Sequence, residues 1–93
     1  MALKWPDKDP QAVKDYAIDW TAMLATNEII ETSTWSVLPV GEITIGASAI
    51  LDGVCTVWLS GGADGATYSL LNHIDTDRGM EDERTVTIKV KNQ

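Results

Sequence analysis

Cysteine and histidine are nearly absent from this chain, and that scarcity removes several kinds of site. Its 93 residues contain one of each, Cys55 and His73. A lone cysteine cannot close an intramolecular disulfide, so we expect a protein made in a reducing compartment. Cys55 lies in an apolar stretch and is expected to pack as a small hydrophobic side chain. One histidine and one cysteine cannot assemble a zinc site of the usual composition within one chain.

A catalytic site has few residues to draw on either. A serine, cysteine or threonine nucleophile needs a base beside it, and alternation places His73 on the side of its strand opposite Tyr68 and Leu70, facing solvent. Paired carboxylates for glycoside hydrolysis would need a sugar-sized groove, for which a domain this small has little room. We therefore expect no enzymatic activity, no cofactor and no metal site.

Basic residues and long apolar runs are scarce as well. Seven Lys and Arg residues stand against 14 Asp and Glu residues, which gives a net charge of −7. That charge repels the phosphate backbone of nucleic acids and anionic membrane surfaces. No apolar run approaches the ~18 residues of a membrane span, and the first residues lack the pattern of a signal peptide. We expect a soluble protein made in the cytoplasm, with no nucleic acid or membrane as partner.

Apolar and polar residues alternate with a period of two over most of the chain, as they do in half-buried strands. Short alternating segments separated by Gly, Pro and Asp turns, without a helical period of useful length, predict an all-β antiparallel fold. The Asp52-Gly53 pair predicts a tight hairpin, because both residues tolerate positive φ. We predict an immunoglobulin-like or fibronectin-III-like β-sandwich of six to seven strands, the six clear ones lying at about 15–20, 28–38, 43–51, 54–60, 67–75 and 85–91.

The first residues differ in composition from the rest. Pro6 and Pro10 oppose helix and strand alike, and the segment has almost nothing apolar except Leu3 and Trp5. We interpret residues 1–12 as an extended N-terminal arm and residues 13–93 as the sandwich domain. Trp5 cannot join a core unless the arm docks, so it is predicted to contact a partner protein.

The other aromatic residues divide into structural and exposed ones. Trp20 and Trp35 share the apolar phase of their strands and are predicted to lie in the core. Tyr68 follows a glycine-bearing loop at the start of a strand, which is the arrangement of a tyrosine corner. On the fourth strand, alternation places Cys55 on the side that faces the core. Trp58 therefore lies on the opposite side and faces outward. Trp58 is therefore predicted to contact a partner. The alternative is that Trp58 is an aromatic residue at a sheet edge that the fold itself partly covers.

An acidic group near the C-terminal end is the best candidate for a cation site, because calcium prefers several carboxylate oxygens on one loop. Asp75, Asp77 and Glu81 belong to it, with Asp82 and Glu83. The spacing does not fit a calcium loop of the EF-hand type, since Gly79 stands where the third ligand belongs. We interpret the group as a solvated hairpin and leave open whether Asp75, Asp77 and Glu81 bind a cation.

Several short motifs are more specific together than each is alone. They are Lys8-Asp9-Pro10, Val13, Asp15-Tyr16, Asp19-Trp20, Thr32-Ser33-Thr34-Trp35, Val57-Trp58-Leu59-Ser60-Gly61-Gly62, Gly65-Ala66-Thr67-Tyr68 and Asp82-Glu83-Arg84. In this combination, from about Lys8 to Val90, the chain resembles small tail or fibre-tail adaptor proteins of tailed bacteriophages and prophages, which have an immunoglobulin-like fold. It departs from their pattern at Met23 and Cys55, where an aromatic residue and a threonine are expected.

The resemblance implies a non-enzymatic virion structural protein that joins tail or fibre modules through protein–protein contacts. It implies other tail or fibre proteins as partners, a homo-oligomer or ring in the particle, and a location first in the host cytoplasm and then in the virion tail. The residues alone leave an alternative, an Ig-like module that recognises a host surface or carbohydrate through an exposed tryptophan. An acidic mimic of DNA rests only on the net charge, which also serves solubility.

Overall fold

The computed structural model describes residues 3–39 and 41–91, and these form seven strands and one turn of 3₁₀ helix. Apolar residues alternate with polar ones along most of the strands, which is why one face of each sheet is buried. The strands are β1 (Leu3–Lys4), β2 (Lys14–Asp19), β3 (Ile30–Leu38), β4 (Ile43–Leu51), β5 (Val54–Gly61), β6 (Thr67–Thr76) and β7 (Glu81–Lys89). The 3₁₀ turn, Thr21–Met23, follows β2.

The strands form two sheets packed face to face. One sheet has the order β1-β7-β6-β3 and the other the order β2-β5-β4. All pairings are antiparallel except β1 with β7, which is parallel. This confirms the predicted all-β antiparallel sandwich of six to seven strands. The β4–β5 hairpin turns through Asp52 and Gly53 at φ 50° and 81°, as the Asp-Gly pair predicts.

The core lies between the sheets and contains one buried polar network. Trp20 is fully buried, and its indole N–H donates to Asn72 Oδ1 at 2.9 Å. The Asn72 amide in turn donates to Ser33 Oγ at 2.8 Å and to the Thr34 carbonyl at 3.1 Å. Because a buried polar group without a partner is costly, this network fixes how β6 lies against β3 and Trp20. Trp35 is partly buried and packs against the same core.

The segment before β2 is docked on the sandwich, which corrects the interpretation of residues 1–12 as an extended arm. Residues 1 and 2 of that segment lie outside the part of the chain that the structure describes. Leu3 and Lys4 pair with β7, and the Trp5 and Lys8 amides donate to the carbonyls of Thr87 and Lys89. Pro6 and Pro10 exclude a helix, but proline is tolerated along the edge of a sheet, where the missing N–H is not needed. The segment therefore extends the four-stranded sheet instead of leaving it.

Trp5 lies inside the sandwich, contrary to its predicted role as a partner contact. The side chain is 8% exposed, its ring stacks on Tyr16 with centroids 4.8 Å apart, and its Nε1 donates to the Ala17 carbonyl at 3.3 Å. It also packs near Trp35, at a centroid distance of 6.0 Å. A tryptophan buried this way contributes mainly to stability, because the gain comes from removing its large apolar surface from water.

Lys8 is fully buried, which is unexpected for a lysine in a segment predicted to be an arm. Its ammonium group donates to the Gly61 carbonyl at 2.7 Å and to the Asp9 carbonyl at 2.9 Å. Burial lowers the pKa of Lys8, since the charged form loses its hydration. The carbonyl contacts join the N-terminal segment to the end of β5, so Lys8 connects the two sheets.

Tyr68 joins the loop before β6 to the start of β4. Its hydroxyl accepts a hydrogen bond from the Ala63 amide and donates one to Glu42 Oε1, both at 2.9 Å. The ring is fully buried. The first of these bonds has the geometry of a tyrosine corner, in which a buried phenol holds the loop that precedes its own strand.

Replacing Trp5 with alanine should destabilise the fold strongly, because it removes a buried ring that no neighbouring side chain can replace. We expect a loss of about 3 kcal/mol in the free energy of unfolding, measured by urea denaturation. Gln11→Ala, at an exposed position of the same segment, is the matched control and should change stability by less than about 0.5 kcal/mol. Equal effects of the two variants would show that the segment does not contribute to the core.

Removing only the hydroxyl of Tyr68 tests the tyrosine corner. Tyr68→Phe keeps the ring and deletes both hydrogen bonds, so unfolding should become easier by about 1 kcal/mol. Amide hydrogen exchange should also be faster at Ala63, whose N–H loses its acceptor. Unchanged exchange at Ala63 would contradict the proposed role of the hydroxyl in holding this loop.

Candidate partner-binding face

Trp58 lies on the outer face of the three-stranded sheet, as its phase on the strand predicts. Its neighbours along β5, Val57 and Leu59, are fully buried, whereas Trp58 itself is 44% exposed. Alternation along a strand sends successive side chains to opposite faces, so the burial of the two neighbours holds the indole outside. We name the outer surface around Trp58, together with Thr56 and Asp15, the Trp58 face.

Small residues leave the indole uncovered. Thr56 pairs with Ala17 of β2 on one side and with Ala49 of β4 on the other. Beside Trp58 itself, β4 bulges at Gly46, where an added Cβ would lie 3.3 Å from the Trp58 carbonyl oxygen and 3.7 Å from its Cβ. The absence of a side chain there lets β4 pass close to Trp58. The Trp58 ring therefore projects from a surface of mostly small side chains.

The Trp58 face is acidic. Asp15 pairs directly with Trp58 across the β2–β5 ladder, and Asp19 pairs with Val54 at the other end of the same face. Hydrogen bonds from Thr21, with a smaller contribution from the charge of Arg84, lower the pKa of Asp19 and keep it ionised. An exposed indole beside carboxylates suits a partner that presents Lys or Arg, because the cation can contact both the ring face and the carboxylate.

The one cysteine and the one histidine of the chain lie apart in the fold. Cys55 is fully buried, and burial raises the pKa of its thiol, which disfavours the nucleophilic thiolate. His73 lies on the outer face of the four-stranded sheet and does not approach Cys55's position in the core. Cys55 and His73 therefore do not form a pair of thiol nucleophile and imidazole base.

His73 is surrounded by carboxylates on that outer face. Its Nε2 lies 3.2 Å from Glu81 Oε1 and 3.5 Å from Asp75 Oδ1, and its Nδ1 lies 3.4 Å from Glu83 Oε2. The hydrogen bond with Glu83, supported by those with Glu81 and Asp75, raises the pKa of His73 against the smaller opposing effect of burial. Asp75 and Glu81 are directly opposite each other on β6 and β7, so an imidazolium between them relieves their repulsion.

The acidic hairpin is arranged differently from what the sequence spacing suggested. Among the described residues, the side chains that could ligate a metal ion are His73, Asp75 and Glu81, whose ligand atoms lie within 4.8 Å of one another. Asp77 is not part of this group, because its carboxylate accepts a hydrogen bond from the Ile29 amide at 3.1 Å. Strand pairing brings in the histidine, which lies two and eight residues from Asp75 and Glu81 along the chain.

A protein-family model matches residues 8–89, and it describes the podophage GP4 fiber-tail adaptor protein gp77. The chain belongs to this family of fibre-tail adaptor proteins. The match covers the sandwich from the buried Lys8 to the last residue of β7. It confirms the resemblance drawn from the motifs at Lys8-Asp9-Pro10, Val57–Gly62 and Gly65–Tyr68.

The fold of this fibre-tail adaptor family member also has a counterpart among solved structures. The solution structure of the PKD domain from the KIAA 1837 protein is similar, with a TM-score of 0.55 and 21% sequence identity, over 96% of this chain and 83% of that one. At this identity the likeness shows the Ig-like fold alone. No curated protein matches the chain. Among its described residues, no helix has the length and apolar character needed to cross a membrane.

Stability of this adaptor-family chain should depend on pH through His73. The folded-state pKa is raised, so the stabilisation is fully present below the unfolded pKa of about 6.5 and is lost as the pH rises through the folded pKa. The melting temperature of the parent should therefore exceed that of His73→Gln at pH 5.5, and the difference should shrink towards pH 8.5. A difference that does not change with pH would mean that the imidazolium is not what stabilises the hairpin.

Proposed function

We propose that this chain is a non-enzymatic structural protein of a phage or prophage virion, and that it joins tail and fibre modules through protein–protein contacts. The observation that carries the proposal is the family match to fibre-tail adaptor proteins over residues 8–89. An adaptor needs a rigid body with separate surfaces for its neighbours. The docked N-terminal segment and the filled core supply such a body, because Leu3 and Lys4 pair with β7 and Trp5 belongs to the core.

The Trp58 face is the surface that we assign to a partner. Tryptophan is enriched among the residues that dominate binding energy at interfaces, and an indole on a flat sheet can fill a pocket of a neighbouring protein. Asp15 and Asp19 on the same face favour a partner with basic residues. Many copies around a tail axis would add their contacts, so that modest individual affinity becomes stable attachment. We also propose that this chain forms a ring or another homo-oligomer in the particle.

An Ig-like module that binds a host surface or a carbohydrate is the second candidate. The same exposed indole next to Asp15 supports it, since sugars pack their apolar faces on aromatic rings and bond to carboxylates. This candidate predicts that isolated protein binds host cells or glycans, and that Trp58→Ala loses that binding. The adaptor candidate predicts instead that the protein is present in particles at a fixed number of copies.

The decisive experiment is quantitative mass spectrometry of purified particles from a strain that carries this gene. Wild-type protein should be present at a fixed stoichiometry. Trp58→Ala should keep its fold, because the ring is half exposed, and should weaken the partner contact by about 2 kcal/mol, or roughly 30-fold, with a matching loss from particles. Leu71→Ala, a half-buried position on the outer face of the other sheet, is the control and should be incorporated normally.

Two outcomes would contradict the proposal in different ways. Absence of the wild-type protein from particles, with abundant protein in the lysate, would remove the adaptor role. Normal incorporation of Trp58→Ala would keep the adaptor role and move the contact to another surface. Equal loss of Trp58→Ala and Leu71→Ala would indicate a general folding defect, which thermal melting of both variants distinguishes.

A further inference from the structure

Strand β4 is an open edge of the sandwich. It pairs with β5 on one side only, and most of its length is exposed, including Leu51 at 72%. Natural proteins protect such edges with charged residues, proline or a covering segment, because the unpaired N–H and C=O groups accept further strands. The nine residues of β4 contain no charged residue and no proline. Its one irregularity is the bulge between Ile45 and Ser48, after which residues 48–51 run regularly to the hairpin turn.

The opposite side of the sandwich shows the difference. There the short strand β1 covers β7, and the buried Lys8 closes the gap between the sheets. The outer strand β2 of the three-stranded sheet carries Lys14, Asp15 and Asp19 along its six residues. Within residues 3–39 and 41–91, no segment covers the outer side of β4, and the strand itself has no charged residue. We name residues 48–51 the β4 edge.

A cavity adjoins the β4 edge at its hairpin end. It has a volume of about 430 Å³ and apolar walls from Leu24, Ile29, Ile30 and Ile50, and two carboxylates, Glu28 and Asp52, lie in its lining. Hydrogen bonds from Thr76 and from the Ala25 amide lower the pKa of Glu28, so it carries its charge. Apolar walls with carboxylates among them suit the long stem and charged head of Lys or Arg.

Charge around this edge is strongly one-sided. Residues 15–77 contain nine Asp and Glu residues and no Lys or Arg, so all seven basic residues lie outside that range. Glu42 and Asp52 stand immediately before and after β4. Arg78, whose guanidinium donates to the Thr26 carbonyl at 2.8 Å, offsets part of this charge. A second copy of this chain would bring the same carboxylates together, whereas a basic segment would meet opposite charge.

We propose that the β4 edge accepts an extended segment of another virion protein, which adds as a strand and carries Lys or Arg at its ends, one of them entering the cavity beside Ile50 and Asp52. The inference rests on the adaptor role and names the kind of partner that one surface of the adaptor fits. Backbone hydrogen bonds supply affinity in such strand addition, and the side-chain pocket supplies selectivity.

The test uses the full chain with a designed strand fused after Gln93 through a flexible Gly/Ser linker of about 20 residues. Such a linker has an average span of roughly 25 Å and gives the fused strand a high effective concentration at the surface of the domain. The fused strand alternates valine and threonine and has two lysines at each end. Two matched fusions replace either the four lysines by glutamates or alternate strand residues by prolines. Hydrogen exchange measured by NMR reports where each fusion docks.

We expect the lysine-ended fusion to slow exchange of β4 amides in residues 43–51 by at least tenfold, with little change in β1 and β3. The proline fusion should lose this protection, because it cannot form the ladder. The glutamate fusion should be at least tenfold less protected. Asp52→Asn, which keeps a residue that tolerates the turn, should reduce protection two- to fivefold at low salt, the range of an exposed ion pair.

Three results would overturn the inference. They are absence of protection with the lysine-ended fusion, protection that the proline fusion retains, and protection centred on β3 or β1. Light scattering that shows the unfused chain as a dimer with protected β4 amides would also overturn it, by making a second copy the occupant. None of these results bears on incorporation into particles, so failure of this inference and failure of the adaptor proposal are separately observed.

Discussion

The alternation of side chains along β5 is the constraint on which the Trp58 face depends. Cys55, Val57 and Leu59 are fully buried at the centre of the three-stranded sheet, and this fixes the register of the strand. A shift of one residue would bury Trp58 and expose all three. The outward position of the indole therefore follows from the same apolar contacts that hold the sheets together, so exposure of this ring is as firmly determined as the core itself.

The two sides of the sandwich differ in whether their edge is covered, and we relate this difference to their separate roles. One side is closed by β1, by Trp5 between the sheets and by the buried ammonium of Lys8 on the Gly61 carbonyl. The other side ends in the uncharged strand β4, with a cavity and carboxylates at its turn. Closure on one side provides a rigid body, and the open side leaves backbone groups available for assembly. Both properties suit a protein whose role is to hold neighbours in fixed positions.

Electrostatics adds selectivity to this arrangement. The carboxylates on the Trp58 face and those flanking β4 carry the same sign, so both surfaces favour basic partners and disfavour copies of the same chain at those positions. The cluster at His73 is separate, on the outer face of the other sheet. There the charged imidazole offsets the repulsion between the facing carboxylates of Asp75 and Glu81. Its stabilisation of the β6–β7 hairpin decreases as the pH rises.

The sequence by itself determined the elements that depend on neighbours along the chain. Period-two alternation predicted the strands and the outward phase of Trp58, and Asp52-Gly53 predicted the hairpin, because each is set by local backbone geometry. Tertiary structure decided what depends on distant partners. Local composition predicts an arm around Trp5 and Lys8, because it cannot show that β7 offers backbone groups for pairing or that a gap between the sheets accepts a tryptophan ring. The His73 cluster, the exposure of β4 and the cavity at its end likewise exist only once strand order brings remote residues together, since burial is a property of the assembled sheets and not of any segment.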